Sequence, residues 1–123
     1  MENKTLLAVI ELGGYPDFRS LYKSCGYEVL VESSMRKAIS LLKKKKIDLI
    51  VAEFNYQHTF RDRLSSLESI IAAAQRLDDL KFIVLYEKEF ENHLDNLRHQ
   101  YNFDAEIAFP INEDKMKKAL ELI

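Results

Sequence analysis

The sequence predicts an α/β domain built on a five-stranded parallel sheet in the order 2-1-3-4-5, with helices on both faces. Three observations lead there. Hydrophobic periodicity switches repeatedly between strand and helix over 123 residues, and such alternation implies parallel strands joined by right-handed helical crossovers. The segments Thr5–Glu11 and Leu49–Ala52 are almost continuously apolar, as strands covered on two faces must be. Tyr27–Glu32 instead alternates Tyr27, Val29 and Val31 against Glu28, Leu30 and Glu32. A half-exposed strand belongs at an edge, which is where this order puts the second strand.

Each element follows from its own pattern. Thr5–Glu11 is the first strand, and Gly13-Gly14 end it. Pro16 suits the first turn of a helix whose Phe18, Leu21, Tyr22 and Cys25 keep helical spacing, and Gly26 fits a left-handed stop behind it. After the edge strand, Ser33-Ser34 cap a second helix with Met35, Ala38, Ile39 and Leu42 on one face and Lys43–Lys46 at its end. Ile47–Phe54 is the third strand. Thr59-Phe60-Arg61-Asp62 has the spacing of a capping box, with Asp in place of Glu, and starts a third helix carrying Leu64, Leu67, Ile71 and Ala74. Phe82–Tyr86 is the fourth strand, Phe90, Leu94, Leu97 and Tyr101 mark the fourth helix, and Ala105–Phe109 is a short fifth strand. Asn112 caps the last helix, with Glu113 and Asp114 at its positive end and Met116, Ala119, Leu120 and Ile123 inward.

Length and composition suit one domain spanning residues 1–123. Lys plus Arg total 18 and Asp plus Glu 20, a net charge of -2. That balance gives no global attraction to nucleic acid or to a membrane, and neither is expected as a partner. The Lys43–Lys46 run complements the dipole of its own helix, with contact to phosphates or anionic lipid as the lesser reading. The apolar run at the N-terminus is too short to span a bilayer and lacks the flanks of a secretory signal. Cys25 is the single cysteine, which excludes an intramolecular disulfide and fits a reducing compartment. The cytoplasm is the expected location.

Catalytic patterns are missing from the sequence. His58, His93 and His99 with Cys25 have no metal-ligand spacing, and Gly13-Gly14 is too short for a phosphate-binding loop. No nucleophile elbow, HExxH motif or Cys/His pairing occurs. A non-enzymatic domain without metal or cofactor is expected. In the 2-1-3-4-5 order the ligand crevice lies at the carboxyl ends of the first and third strands, where Glu11 and Glu53 stand. These two could hold a divalent cation weakly, face solvent, or pair with His58, Arg61 or Arg63. The following segment gathers Tyr56, Phe60, Arg61 and Arg63. Aromatic and arginine side chains are enriched at binding hot spots, so these four are candidate partner-binding residues.

Ile47-Asp48-Leu49-Ile50-Val51-Ala52-Glu53 resembles the third strand of receiver domains of two-component response regulators. That strand runs apolar-Asp-Leu-apolar and ends, five residues after the Asp, in the phosphoacceptor aspartate. Phe109-Pro110 resembles the Lys-Pro pair that closes the receivers' fifth strand. The resemblance covers Thr5 to Ile123 and implies a flavodoxin-like receiver fold, a place in two-component phosphorelay signalling and a cis Phe109–Pro110 peptide. It also implies which positions would carry the switch, and each is altered. Glu53 replaces the phosphoacceptor aspartate, and its extra methylene spoils in-line attack. Ile10-Glu11 replaces the adjacent acids that hold Mg²⁺, Tyr86 the small hydroxyl residue, Phe109 the lysine, and Glu106 the aromatic reporter of the site. This pattern is similar to that of the degenerate group called pseudo-receivers.

The resemblance thus implies a phosphorylation-independent signalling module acting through a protein partner. It also implies weak self-association through the fourth helix, fifth strand and fifth helix, where Arg98, Glu106, Lys117 and Lys118 mix. Glu53 reads as a structural residue ahead of a permanent mimic of the phosphorylated state. Two alternatives stand beside this: metal or small-ligand binding, enzymatic or not, at the Glu11/Glu53 crevice, and phosphorylation at a non-standard residue. A crevice filled by Tyr86 and Phe109 favours the module; a deep enclosed one favours the ligand site.

Overall fold

The computed structural model describes residues 4–11, 13–54, 66–74, 77 and 79–123. Within them the strands are β1 (Lys4–Val9), β2 (Tyr27–Glu32), β3 (Leu49–Phe54), β4 (Lys81–Tyr86) and β5 (Ala105–Ala108). The α-helices are α1 (Arg19–Ser24), α2 (Met35–Lys44), α3 (Ser66–Ala74), α4 (Glu91–Gln100) and α5 (Glu113–Glu121), with one 3₁₀ turn, Lys88–Phe90, leading into α4. All strand pairs are parallel, in the order β2-β1-β3-β4-β5. This is the flavodoxin-like arrangement expected from the sequence.

Strand parity divides the core into two layers. Leu6, Ala8, Leu49, Val51, Ile83 and Leu85 face α1 and α5, with Phe18 just before α1, Tyr22 within it, and Met116, Ala119 and Leu120 of α5. Leu7, Val9, Ile50, Ala52, Phe82 and Val84 face α2, α3 and α4, which contribute Ala38, Leu42, Ile70, Ile71, Leu94 and Leu97. Each fully buried Leu, Ile, Val, Phe or Met side chain among them adds about 1.5–3 kcal/mol over its exposed state. All six residues of β3 are buried, while β2 at the edge leaves Val31 45% exposed. β2 is thus the edge strand expected, but its burial does not follow the strict alternation of the sequence: Val31 is exposed while Leu30 and Glu32 are half-buried.

Two aspartates align the start of the sheet. Asp48, just before β3, donates its backbone N–H to the Thr5 carbonyl at 2.8 Å, and its carboxylate accepts the Thr5 N–H at 2.8 Å. Asp104, just before β5, does the same to Phe82, at 2.9 Å and 2.7 Å. Each satisfies a strand N–H that would otherwise lack a partner.

Helix ends mostly match their sequence signals. Ser34 accepts from Lys37 N–H at 3.4 Å, Asn112 accepts from Lys115 N–H at 2.9 Å, and Gly26 behind α1 has φ +92°. The first helix is the exception. Pro16 does not lie in its first turn; α1 begins at Arg19, because the Asp17 carboxylate takes the Arg19 N–H at 3.0 Å and delays the helix. β3 begins at Leu49 and not at Ile47, since Asp48 is occupied by its clamp on Thr5. β5 ends at Ala108, and the Phe109–Pro110 peptide is cis, as expected. The capping box Thr59–Asp62 lies outside the described residues.

Candidate functional site at the carboxyl edge of β1 and β3

Glu53 is placed by parity. It shares the face of Leu49 and Val51, so its side chain points toward the α1/α5 layer, and β3 lies between β1 and β4. It is 1% exposed, and among the described residues it is the single buried residue with a charged or polar side chain. Its carboxylate accepts hydrogen bonds from the Tyr15 hydroxyl at 2.7 Å and the Gly13 N–H at 3.1 Å. The solvent-facing alternative for Glu53 is thus overturned. Such bonds are what make a buried carboxylate tolerable.

The turn after β1 delivers both donors. Gly13 and Gly14 have φ +72° and +86°, values that side chains oppose, and they bend the chain so that Gly13 N–H meets Glu53. Tyr15 then folds over the carboxylate. Its ring lies 6.2 Å from that of Phe18, nearly parallel at 11°, and 5.9 Å from that of Phe109. Burial first, then the hydrogen bond to Glu53 and the charge of Glu53, push the Tyr15 phenol far above its ordinary range. The phenol therefore stays a donor at any physiological pH.

The other switch positions are spread apart. Phe109 lies on the α1/α5 face against Tyr15, but Tyr86 shares the parity of Phe82 and Val84 and faces the opposite layer. There the Arg98 guanidinium sits 5.4 Å from the Tyr86 ring centroid. The crevice over Glu53 is filled by Tyr15 and Phe109, not by Tyr86 and Phe109. Glu11 lies two residues beyond β1, which ends at Val9 and not at Glu11, and is half-buried. Lys115 of α5 spends its ammonium on the carbonyls of Ala108 and Pro110, at 3.2 Å and 2.7 Å, and so braces the turn after β5.

Nothing here is arranged as a metal centre: among the described residues no group of three or more His, Cys, Asp or Glu side chains could hold an ion. A cavity of about 300 Å³ lies beside the site, lined by Ile10, Tyr15, Phe18, Tyr22 and Val31 among others. Neither Glu11 nor Glu53 lines it, so it is not a deep enclosed version of the carboxylate crevice. Tyr56, Phe60, Arg61 and Arg63 lie outside the described residues. No helix among the described residues is long and apolar enough to cross a membrane.

Sequence reasoning missed Tyr15. The signal was available: an aromatic residue directly after Gly13-Gly14, at the end of a strand that the 2-1-3 order sets beside Glu53.

No protein-family model and no curated protein sequence matches the chain. Solved structures do. A response regulator receiver protein from Sinorhizobium medicae is 20% identical, with TM-score 0.72, covering 98% of this chain and 93% of that one. The chemotaxis protein CheY4 of Vibrio cholerae is 17% identical, with TM-score 0.71, covering 98% of each. The receiver domain of a sensor histidine kinase from Pseudomonas aeruginosa, with magnesium in its active-site cleft, is 15% identical, with TM-score 0.68, covering 98% of this chain and 96% of that one. The chain has the receiver-domain fold.

Proposed function

We propose that this chain is a receiver-like signalling module that works without a phosphoryl group, as a non-enzymatic partner of another protein. The observation that carries the reading is the state of Glu53. A phosphoacceptor must present an oxygen to an incoming phosphorus atom in line with the leaving group. Glu53 is instead buried, with the Tyr15 hydroxyl and the Gly13 N–H on its carboxylate. Phe109 supplies no cation to neutralise a phosphoryl group, and Ile10 beside Glu11 leaves the metal acids incomplete. The pseudo-receiver subtype is the name that fits this combination.

Output would run through surface contacts, with the Tyr56–Arg63 segment as the proposed docking segment and the face of α4, β5 and α5 as the proposed site of weak self-association. The test is intact-mass spectrometry after incubation with acetyl phosphate and Mg²⁺, under conditions that label an ordinary receiver. An unchanged mass is expected. A gain of one phosphoryl group would overturn the reading.

A further inference from the structure

The fold collects lysines at the sheet edge opposite Glu53. Strands of a parallel sheet all begin at one edge, and each crossover helix returns the chain to it. Lys4 opens β1, Lys81 opens β4, and Lys43–Lys46 end α2 and lead into β3, which lies between those two strands. Neighbouring strands are about 4.8 Å apart and Lys81 is level with Leu6, two residues along β1 from Lys4, so the backbones of Lys4 and Lys81 are separated by about 12 Å, with the four-lysine segment entering between them. The sequence shows a run of four; the topology makes it six.

All six are exposed, and none forms an ion pair with a described residue. The acids at this edge cancel them only in part. Asp48 and Asp104 are engaged with the Thr5 and Phe82 N–H groups, Glu28 and Asp79 are exposed, and Glu2 and Asp78 stand near Lys4 and Lys81 in the sequence. A net charge of -2 over the whole chain thus hides a positive pole at this edge. Glu11, Glu32, Glu87 and Glu89 lie toward the opposite edge.

We infer that this lysine pole docks the protein on an anionic membrane surface. Charge complementarity is the ground, and the kind of cation chooses the partner. Lysine ammoniums are point charges on flexible stems, which suit a diffuse field of lipid phosphates and carboxylates. Nucleic-acid surfaces add arginine forks to phosphates and exposed aromatics for stacking. Among the described residues of this edge no arginine and no aromatic side chain is exposed. Docking by this pole leaves Tyr15 and Glu53, at the other end of the strands, directed away from the lipid.

Each lysine held at such a surface multiplies the partition by roughly fivefold. The test is co-sedimentation of the full chain with phosphatidylcholine vesicles, with and without a phosphatidylserine fraction, at low and high salt. Binding is expected only with phosphatidylserine and is lost at high salt, where the Debye length falls to about 3 Å. Lys43→Gln, Lys44→Gln, Lys45→Gln and Lys46→Gln together should lower the partition several-hundred-fold, roughly fivefold per lysine, with an unchanged thermal melt. The corresponding four Lys→Arg changes should retain it. Equal sedimentation with neutral vesicles, binding unchanged in the Lys→Gln variant, or retention of duplex DNA but not of anionic vesicles would each overturn the inference.

Discussion

Arg98 of α4 is bonded to Glu106 of β5 through Nε at 3.0 Å and Nη2 at 2.5 Å while its guanidinium covers the ring of Tyr86. The same side chain also meets Glu91 at 3.2 Å and Asp95 at 2.5 Å, and the bonds to Glu106 are the first of the causes that raise its pKa. One residue therefore ties α4, β4 and β5 together, at the two places where the family resemblance put a hydroxyl residue and an aromatic reporter. Arg98→Ala should destabilise the fold by about 1–2 kcal/mol, since the partners are partly solvated but several act at once. Glu106→Gln should cost less. Urea unfolding of both variants checks this; an unchanged midpoint for Arg98→Ala would show the network to be ornamental.

Removing the Tyr15 hydroxyl isolates one bond of the site. Tyr15→Phe keeps the ring packed against Phe18 and Phe109 but withdraws a donor from a buried carboxylate. A loss of about 1–3 kcal/mol is expected in denaturant unfolding. Stability equal to the wild type would mean that the carboxylate is satisfied without Tyr15.

Restoring the aspartate should not restore the chemistry. Glu53→Asp shortens the side chain away from Tyr15, yet Phe109 and Tyr86 remain where a lysine and a small hydroxyl residue would serve a phosphoryl group. Acetyl phosphate with Mg²⁺ should leave its mass unchanged. Labelling of this variant, with the wild type inert, would place the whole defect in one methylene.

High pH should unfold the protein through its buried phenols. Burial raises Tyr22 as well as Tyr15, with Asp17 adding to the effect at Tyr22. An unfolded tyrosine ionises near pH 10, so above about that value the folded state holds protons that the unfolded chain has lost. The stability these groups contribute is complete below about pH 10 and declines above it, by up to about 1.4 kcal/mol per pH unit for each tyrosine. Tyr22→Phe should move the alkaline midpoint upward. Far-ultraviolet circular dichroism against pH measures it, and a midpoint indifferent to the substitution refutes this assignment.

Asp48→Ala and Asp104→Ala should each cost about 1–2 kcal/mol, because each leaves a strand N–H without its carboxylate. Asp48→Asn keeps an acceptor oxygen and should cost less. Hydrogen exchange at the amides of Thr5 and Phe82 gives a local readout; protection that survives the alanine substitutions counts against the clamps.

Periodicity made the fold readable. Three segments as apolar as Leu6–Val9, Leu49–Ala52 and Phe82–Leu85 have no stable place except the middle of a covered sheet, and Tyr27–Glu32 announced an edge. What stayed hidden depended on side chains reaching backbone far away in sequence. The Asp48 clamp on Thr5 spans 43 residues and the Tyr15 bond to Glu53 spans 38. Asp17 displaces the helix start that Pro16 alone points to, through a bond of two residues' span that competes with the helix. The position of Glu53 was legible and its surroundings were not, because a carboxylate in an apolar run says only that some donor must come to it.

The Tyr15–Glu53 bond has a consequence for timing. A carboxylate served by a diffusible donor fills and empties with the supply of that donor, and its lifetime acts as a clock. Here the occupant is tethered to the same chain, so its effective concentration is set by the turn after β1 and does not vary with the surroundings. Occupancy of Glu53 is then the same in every copy of the folded protein. On the proposed reading of the domain as a signalling module, its output is graded by how many copies exist, and its response time is that of synthesis and degradation.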